Sequence, residues 1–350
     1  MLFPGGDLPE PERVLIIKPS ALGDVVTAMP VLRGLKRTFP DAQVSWLISD
    51  RCAPLVSHDS NLDGVVIFDR RRLGRAWRSP PAAAALAKFM LDIRRGRFDW
   101  VIDLQGLIRS GLFAAVSRAP VRAGFADARE GAWIFYTHRN RPECSHTVDR
   151  NIALARMLGI DARAEDMSLE LSPGAKAFAE SPCRTSGLKA GGFLVAVPPT
   201  TWPTKLYPVR HWRTVVESLC RSVPVVLAGA PSDRTLCEQI AEGLAPGAVN
   251  LAGQTKVDEF VGLIAASAGV ICSDSAAKFI ASAVGVDSVT LIGPTRPERT
   301  GPYLRGRAIV ADVPCQGCLR KRCRHITCMQ SINPAEVISA AQDMLSGHPS

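Results

Sequence analysis

Four short stretches of this 350-residue chain carry side chains suited to chemistry on an anionic, hydroxyl-bearing molecule. The first is PSALGD at 19–24. Gly23 permits a tight turn, and Asp24 stands at or near a helix start. A carboxylate there is either a first-turn acid favoured by the helix dipole or a general base that takes a proton from an attacking hydroxyl. The second stretch, PPTTWPTK at 198–205, offers the hydroxyls of Thr200 and Thr201 and the ammonium of Lys205, a set that suits a diphosphate. GAPSD at 229–233 puts Asp233 at another helix start, to bond a ribose hydroxyl or simply to cap the helix. SDSAAKF at 273–279 opens a helix with Asp274 and Ser275, where unpaired N–H groups attract anions.

These stretches need a scaffold that brings strand ends and helix starts to one edge, and the chain has the pattern for it. Short apolar, β-branched runs recur at 13–18, 43–49, 65–69, 100–104 and 122–125. They return at 193–199, 224–229, 249–253, 269–274 and 288–293. Turns and helical patterns separate them, which predicts βαβ units and parallel sheets. In such sheets ligands bind beyond the carboxyl ends of the strands, and all four stretches follow a strand. The expected fold class is α/β, two doubly wound halves. The expected divisions are a leader over 1–12, a first domain over 13–165, a linker over 166–191 and a second domain over 192–333. A final helix over 334–350 is free to pack back on the first domain. Neither half contains G-x-G-x-x-G, so a dinucleotide dehydrogenase is not indicated.

The net charge of +9 points to an anionic partner. Arg70, Arg71, Arg72, Arg75 and Arg78 crowd one loop, and Arg320, Lys321, Arg322 and Arg324 another; composition alone favours reading both as solvated basic loops. A nucleic-acid partner is disfavoured: only three tyrosines are present and no reading module is recognisable. No apolar run approaches the roughly 20 residues of a membrane span, and the N-terminus lacks the pattern of a signal peptide. Six of the ten cysteines are scattered singly and therefore read as reduced thiols. The other four, Cys315, Cys318, Cys323 and Cys328, are clustered, and leave open a zinc site with His325 in reserve, a thiol loop or a local disulfide.

The segments RVLIIKPSALGDVVTAMPVL, DLQGLIRSG, GFADAREG, HTVDRN, TTWPTK, LAGAPSD, NLAGQT, SDSAAKFIASAVG and GPTRPERTGPY run in order across about 13–345. Together they resemble glycosyltransferase family 9, and within it the ADP-heptose:lipopolysaccharide heptosyltransferases. Most are like heptosyltransferase I, while the cysteine-rich tail is nearer heptosyltransferase II. The resemblance implies a GT-B fold, two Rossmann-like domains facing a cleft. It also implies an inverting transfer that needs no metal or cofactor, and action at the cytoplasmic face of the inner membrane. Its partners there are a nucleotide sugar and an anionic lipid-linked saccharide.

Carried over by position, the resemblance makes Asp24 the general base and gives Thr200, Thr201 and Lys205 to the diphosphate. Asp233 goes to the adenosine ribose and Thr255 to the adenine. Asp274 holds the sugar hydroxyls, with the backbone of Ser275, Ala276 and Ala277 at the phosphates. Arg71, Arg75, Arg129, His146 and Arg150 form the acceptor pocket. One block departs from the family's D-S/T-G-x-x-H. Ala276 stands where Gly lets the backbone approach most closely, Phe279 replaces an imidazole, and Lys278 brings a cation beside the phosphates. This departure keeps a different nucleotide-sugar donor or acceptor, or a catalytically impaired homologue, as the alternative reading.

Overall fold

A computed structural model of the chain describes residues 8–75, 78–180, 188–244 and 247–347. The start of the expected leader, Ala76 and Trp77 of the arginine loop, and 181–187 of the expected linker lie outside them. So do the last three residues of the expected final helix. The chain divides into two compact units, Met1–Met167 and Ser168–Ser350.

The first unit is built on six strands, β1 (Arg13–Ile17), β2 (Gln43–Ile48), β3 (Gly64–Ile67), β4 (Trp100–Asp103), β5 (Val121–Phe125) and β6 (His138–Asn140). They form one sheet in the order β3-β2-β1-β4-β5-β6, every pair parallel. The central strands are buried on both faces, as their unbroken apolar runs require. The second unit repeats the plan with β7 (Leu194–Val197), β8 (Val225–Leu227), β9 (Ala248–Asn250), β10 (Gly269–Ser273), β11 (Ser288–Ile292) and β12 (Arg307–Val310). Its order is β12-β11-β10-β7-β8-β9, again all parallel. Each sheet thus has the doubly wound order 3-2-1-4-5-6. The order reverses between β1 and β4 in one unit and between β7 and β10 in the other. At these two points the outgoing loops diverge and leave a crevice at the strand ends.

Two strands, β6 and β12, were not anticipated. β6 reads HRN, a polar edge strand with no apolar run to announce it. β12 reads RAIV and is only half-buried at the other sheet's edge.

The segment expected to be a linker contains a helix, Pro173–Glu180. Pro and Gly open it, positions where a helix tolerates a missing N–H. Its buried Ala175 lies against Gly262 of the helix Val257–Ala265, where any Cβ at 262 would strike the Ala175 carbonyl. The helix Pro173–Glu180 therefore packs on the second unit through Ala175. The final helix, Pro334–Leu345, whose return to the first domain the sequence left open, packs on the helix Val209–Leu219 and on β10–β12 of the second unit. Val337, Ala340 and Ala341 join Trp212, Val215 and Leu219 in that core.

Candidate active site

Because every strand of the first sheet runs the same way, the loops after β1, β3, β5 and β6 emerge on one edge. Those loops carry Asp24, Arg71 with Arg75, Arg129, and His146 with Arg150. Asp24 sits in the first turn of the short helix Leu22–Val26, where its Oδ2 accepts the backbone N–H of Ala21 at 2.9 Å. It is half-buried. The loop below it is fixed from two sides. Lys18, 5% exposed, donates from Nζ to the Leu104 carbonyl at 2.7 Å, and Trp46 donates to the Lys18 carbonyl at 3.2 Å. Asn151 donates to the Thr27 carbonyl at 2.9 Å, which ties the helix carrying Arg150 to the segment carrying Asp24.

The five expected acceptor residues divide into two kinds. Arg71, Arg75 and Arg129 are exposed, their backbones held while their side chains reach outward. Arg71 N–H donates to Asp69 at 3.0 Å at the start of the short helix Arg70–Leu73, and Arg129 N–H to the Gly106 carbonyl at 3.0 Å. Arg150 and His146 are already engaged. The Arg150 guanidinium donates to both oxygens of Asp127, at 2.7 and 2.8 Å, and lies 5.0 Å from the centre of the Phe125 ring. His146 is buried and its Nδ1 caps the helix Thr147–Met157 by accepting the Val148 N–H at 3.3 Å.

At the end of β4, paired with the last residue of β1, is a carboxylate that sequence reasoning passed over. Asp103 is fully buried. Its Oδ1 accepts the N–H groups of Gln105 and Gly106 at 2.9 and 3.2 Å, and its Oδ2 accepts the Tyr136 hydroxyl at 2.6 Å. Burial pushes its pKa up, against the pull of the Tyr136 hydrogen bond. The signal that would have found it is a charged residue closing the apolar run WVID, since an acid in that place must be satisfied internally.

The second sheet's switch point is more densely charged. Ser273, the last residue of β10, donates to the Pro198 carbonyl at 2.8 Å and so links the two diverging loops. Asp274 follows, 4% exposed. Its Oδ2 receives Lys205 Nζ at 2.7 Å and the Thr295 hydroxyl at 2.5 Å, and its Oδ1 receives Lys278 Nζ. Lys278 also donates to the Ser275 carbonyl at 3.0 Å and lies 4.7 Å from the centre of the Phe279 ring. Burial alone would raise the Asp274 carboxyl, but Lys278 and then Lys205 outweigh it and hold the pKa down to about 2.

Thus Lys278, expected beside the phosphates, turns inward at 2% exposure, and Asp274, expected at the sugar, is taken up by three internal donors. Lys205 is the outer member of the cluster, half-buried, with Nζ 4.6 Å from the centre of the Trp202 ring. Lys321 stands over the same ring at 5.0 Å. Thr200 and Thr201 lie on the loop that carries Lys205, and Thr201 is exposed. Ser275, Ala276 and Ala277 form the turn into the helix Ala277–Ala283.

Asp233 and Thr255 lie on neighbouring loops. Gly253 N–H donates to the Gly229 carbonyl at 2.9 Å, and Gly253, at φ +76°, passes so close to Pro231 that a Cβ would fall 2.9 Å from its Cα. Asp233 itself accepts the Ala230 N–H at 2.9 Å across the turn Pro231–Asp233, and makes no side-chain cap hydrogen bond to the helix Arg234–Ala241 that follows it.

The four clustered cysteines and His325 line one cavity of about 130 Å³, which Thr204 and Arg320 share. All four are free thiols. Among the described residues no three His, Cys, Asp or Glu side chains are grouped so as to hold a metal ion. The loop braces the second sheet's switch point, since the Thr204 hydroxyl donates to the Arg320 carbonyl at 2.9 Å and Gln316 to the Thr295 carbonyl at 3.0 Å. Among the described residues no helix is long and apolar enough to cross a membrane.

Residues 86–328 match the family model for glycosyltransferase family 9 (heptosyltransferase). The chain belongs to that family. It is 30% identical over 325 residues to lipopolysaccharide heptosyltransferase 1 of Pseudomonas aeruginosa, covering 89% of this chain and 88% of that protein. It is 26% identical to the Escherichia coli K12 lipopolysaccharide heptosyltransferase 1, over 85% of this chain and 92% of the relative. Among solved structures, E. coli heptosyltransferase WaaC with ADP-2-deoxy-2-fluoro heptose superposes with a TM-score of 0.74 at 25% identity, covering 95% of this chain and 99% of that one. E. coli ADP-heptose lps heptosyltransferase II gives 0.75 at 24% identity, over 95% and 98% of the two chains, a likeness of fold. The family 9 fold, two parallel α/β sheets of the GT-B kind, is thus the one the sequence led us to expect.

Proposed function

We propose that this family 9 glycosyltransferase moves a heptose from ADP-heptose to the Kdo/heptose inner core of lipopolysaccharide, by a single inverting displacement without a metal. The observation that carries this reading is the pairing of unlike edges. A half-buried carboxylate, Asp24, shares the first sheet's edge with outward arginines, and a lysine-rich cluster around Lys205 occupies the second sheet's switch point. Such a division fits an anionic acceptor on one side and an anionic donor on the other.

In this mechanism Asp24 takes the proton of the acceptor hydroxyl as that oxygen attacks the anomeric carbon. The bond from that carbon to the diphosphate breaks, and the diphosphate leaves with the electron pair. Lys205, with the hydroxyls of Thr200 and Thr201 and the backbone from Ser275 to Ala277, stabilises the charge that develops there. Asp233 and Thr255 bind the adenosine. Arg71, Arg75 and Arg129 meet the acceptor's carboxylates and phosphates, and His146 and Arg150 complete the pocket. The relatives' names support lipopolysaccharide as the acceptor, and a structure named for its ADP-heptose analogue supports the donor. The basic face would hold the enzyme at the anionic inner surface of the inner membrane as a peripheral protein.

The test is to incubate the pure protein with ADP-heptose and Kdo-lipid A, or its heptosylated product, and to weigh the lipid by mass spectrometry. A gain of one heptose is expected. Transfer only from another nucleotide sugar would replace this donor with the one used, an outcome to which Ala276 and Phe279 give weight.

A further inference from the structure

Lys278 is the most deeply buried cation of the donor side, and the mechanism above gives it no task. It is 2% exposed, its Nζ bonded to Asp274 Oδ1 and to the Ser275 carbonyl. Asp274 holds a second cation at its other oxygen, Lys205 at 2.7 Å. The two lysines are not equivalent. Lys278 reaches Asp274 from one turn along the same helix start, within the protein, whereas Lys205 comes from the loop after β7 and keeps 13% of its side chain exposed. One buried carboxylate therefore carries two ammonium groups, and the cluster has a net charge of +1.

We propose that Lys278 is a positioning residue that lets Lys205 be handed from Asp274 to the donor's diphosphate. The inference rests on the reading of this loop as a diphosphate site, and adds how the site is kept ready. Drawing a cation off a buried carboxylate ordinarily leaves that charge unpaired, which is costly. Here Lys278 and the Thr295 hydroxyl stay on Asp274 when Lys205 moves. The carboxylate remains ionised and satisfied, and the surplus positive charge goes to the phosphates. The groups facing Asp274 are Lys278 on its own helix start, Lys205 from the β7 loop and Thr295 from the β11 loop. Cys272 on β10 is a neighbour, its thiol pushed up by burial and so neutral. Lys321 stands behind the Trp202 ring.

Without Lys278 the cluster's charge falls to zero, and Lys205 becomes the only cation on Asp274. The variant Lys278→Met should therefore bind a diphosphate more weakly. It should also acquire a pH dependence that the parent lacks. Loss of Lys278 lets burial raise the Asp274 carboxyl from its present value of about 2. As pH falls, Asp274 then protonates, Lys205 is released, and binding recovers. A residue that merely fills space would leave the same deficit at every pH.

The experiment is calorimetric titration of the full chain with ADP-ribose, whose diphosphate keeps both charges through the mildly acid range. Pyrophosphate serves as a second probe that reads the same exchange without base or sugar. Lys278→Met should bind at least about tenfold more weakly near neutral pH, the worth of one charged contact, and the deficit should narrow towards about pH 5. Lys278→Arg should restore binding. Asp274→Asn combined with Lys278→Met removes both charges, returns the cluster to +1 and frees Lys205. It should bind pyrophosphate about as well as the parent, and it covers the case in which Lys278→Met alone does not fold. A pH-independent deficit, no deficit, or weak binding by the double variant would overturn the proposal. Pyrophosphate binding with no response to any nucleotide sugar would instead count against the nucleotide-sugar reading and leave the exchange standing.

Discussion

The two sheets share one strand order, and each has a buried aspartate at the end of its fourth strand or directly after it, yet the two carboxylates live in opposite electrostatic settings. Asp103 is held by two backbone N–H groups and one phenol, with no cation among its hydrogen-bond donors, and its pKa is raised. Asp274 lies between two lysines and its pKa is held at about 2. Equal burial thus gives opposite shifts, because neutral donors only partly offset desolvation and paired cations more than offset it. The first arrangement braces the loop after β4, whose Gln105 and Gly106 N–H groups it holds. The second gathers positive charge at the switch point. On the proposed reading, the repeated fold uses one edge for proton transfer and the other for charge binding.

The sharpest test of that division is Asp24. If the first edge supplies the base, Asp24→Ala should slow transfer by about 10²–10⁴-fold, while ADP binding, measured by calorimetry, stays as in the parent. A matching loss of ADP affinity would erase the distinction between the edges.

Next in size is the contrast between the buried acids themselves. Asp274→Asn strands Lys278, a cation at 2% exposure, and should cost about 3–5 kcal/mol of stability, as breaking a buried pair does. Asp103→Asn keeps an oxygen for the Gln105 and Gly106 N–H groups and an amide facing the Tyr136 hydroxyl. It should cost only about 1 kcal/mol. Chemical denaturation of both variants decides, and equal costs would mean that the lysines contribute nothing special.

Smaller effects are expected at the arginines. Arg71, Arg75 and Arg129 are exposed, so their replacement by Ala should leave stability within about 0.5 kcal/mol. Acceptor KM should rise roughly tenfold, the worth of about one charged contact, with donor KM unchanged. Arg150→Ala should differ, because it removes the partner of Asp127 and so lowers stability as well.

What the sequence made legible follows from this physics. Ten of the twelve strands are legible as short apolar runs, most plainly the central ones, whose residues are nearly all buried. Asp24, Asp233 and Asp274 could be singled out because they follow strands and stand at helix starts, although acids are favoured there with or without a ligand. The i,i+4 spacing of Asp274 and Lys278 was visible too, but spacing alone does not say that Lys278 turns inward. That depends on Phe279 beneath it and on the Ser275 carbonyl, together with the burial of the whole helix start. Thr295 and Tyr136 were beyond reach, since each meets its aspartate from a distant loop. The helix at 173–180 was masked by its Pro-Gly opening, a pattern shared by linkers and helix starts.

The smallest effect is a difference in the response to acid, and it separates the two aspartates most directly. The folded pKa of Asp274 is about 2, below the roughly 3.9 of an unfolded chain. Its ion pairs therefore stabilise the fold fully above about pH 4, and that contribution is lost as pH falls towards about 2. For Asp103 the sign reverses. Its folded pKa is raised, so the fold favours the protonated form, and acidification through that pKa removes a penalty instead of a stabilisation. Melting temperatures of the parent and each Asn variant, compared at matched pH, cancel the other titrating groups. The deficit of Asp274→Asn should shrink by a few degrees from neutral pH to about pH 3. Against the parent, Asp103→Asn should fare better at neutral pH than at about pH 3, because only an ionised Asp103 carries the penalty that Asn avoids. If the two differences move in the same direction, the lysines do not set the contrast, and the second switch point is no more primed for an anion than the first.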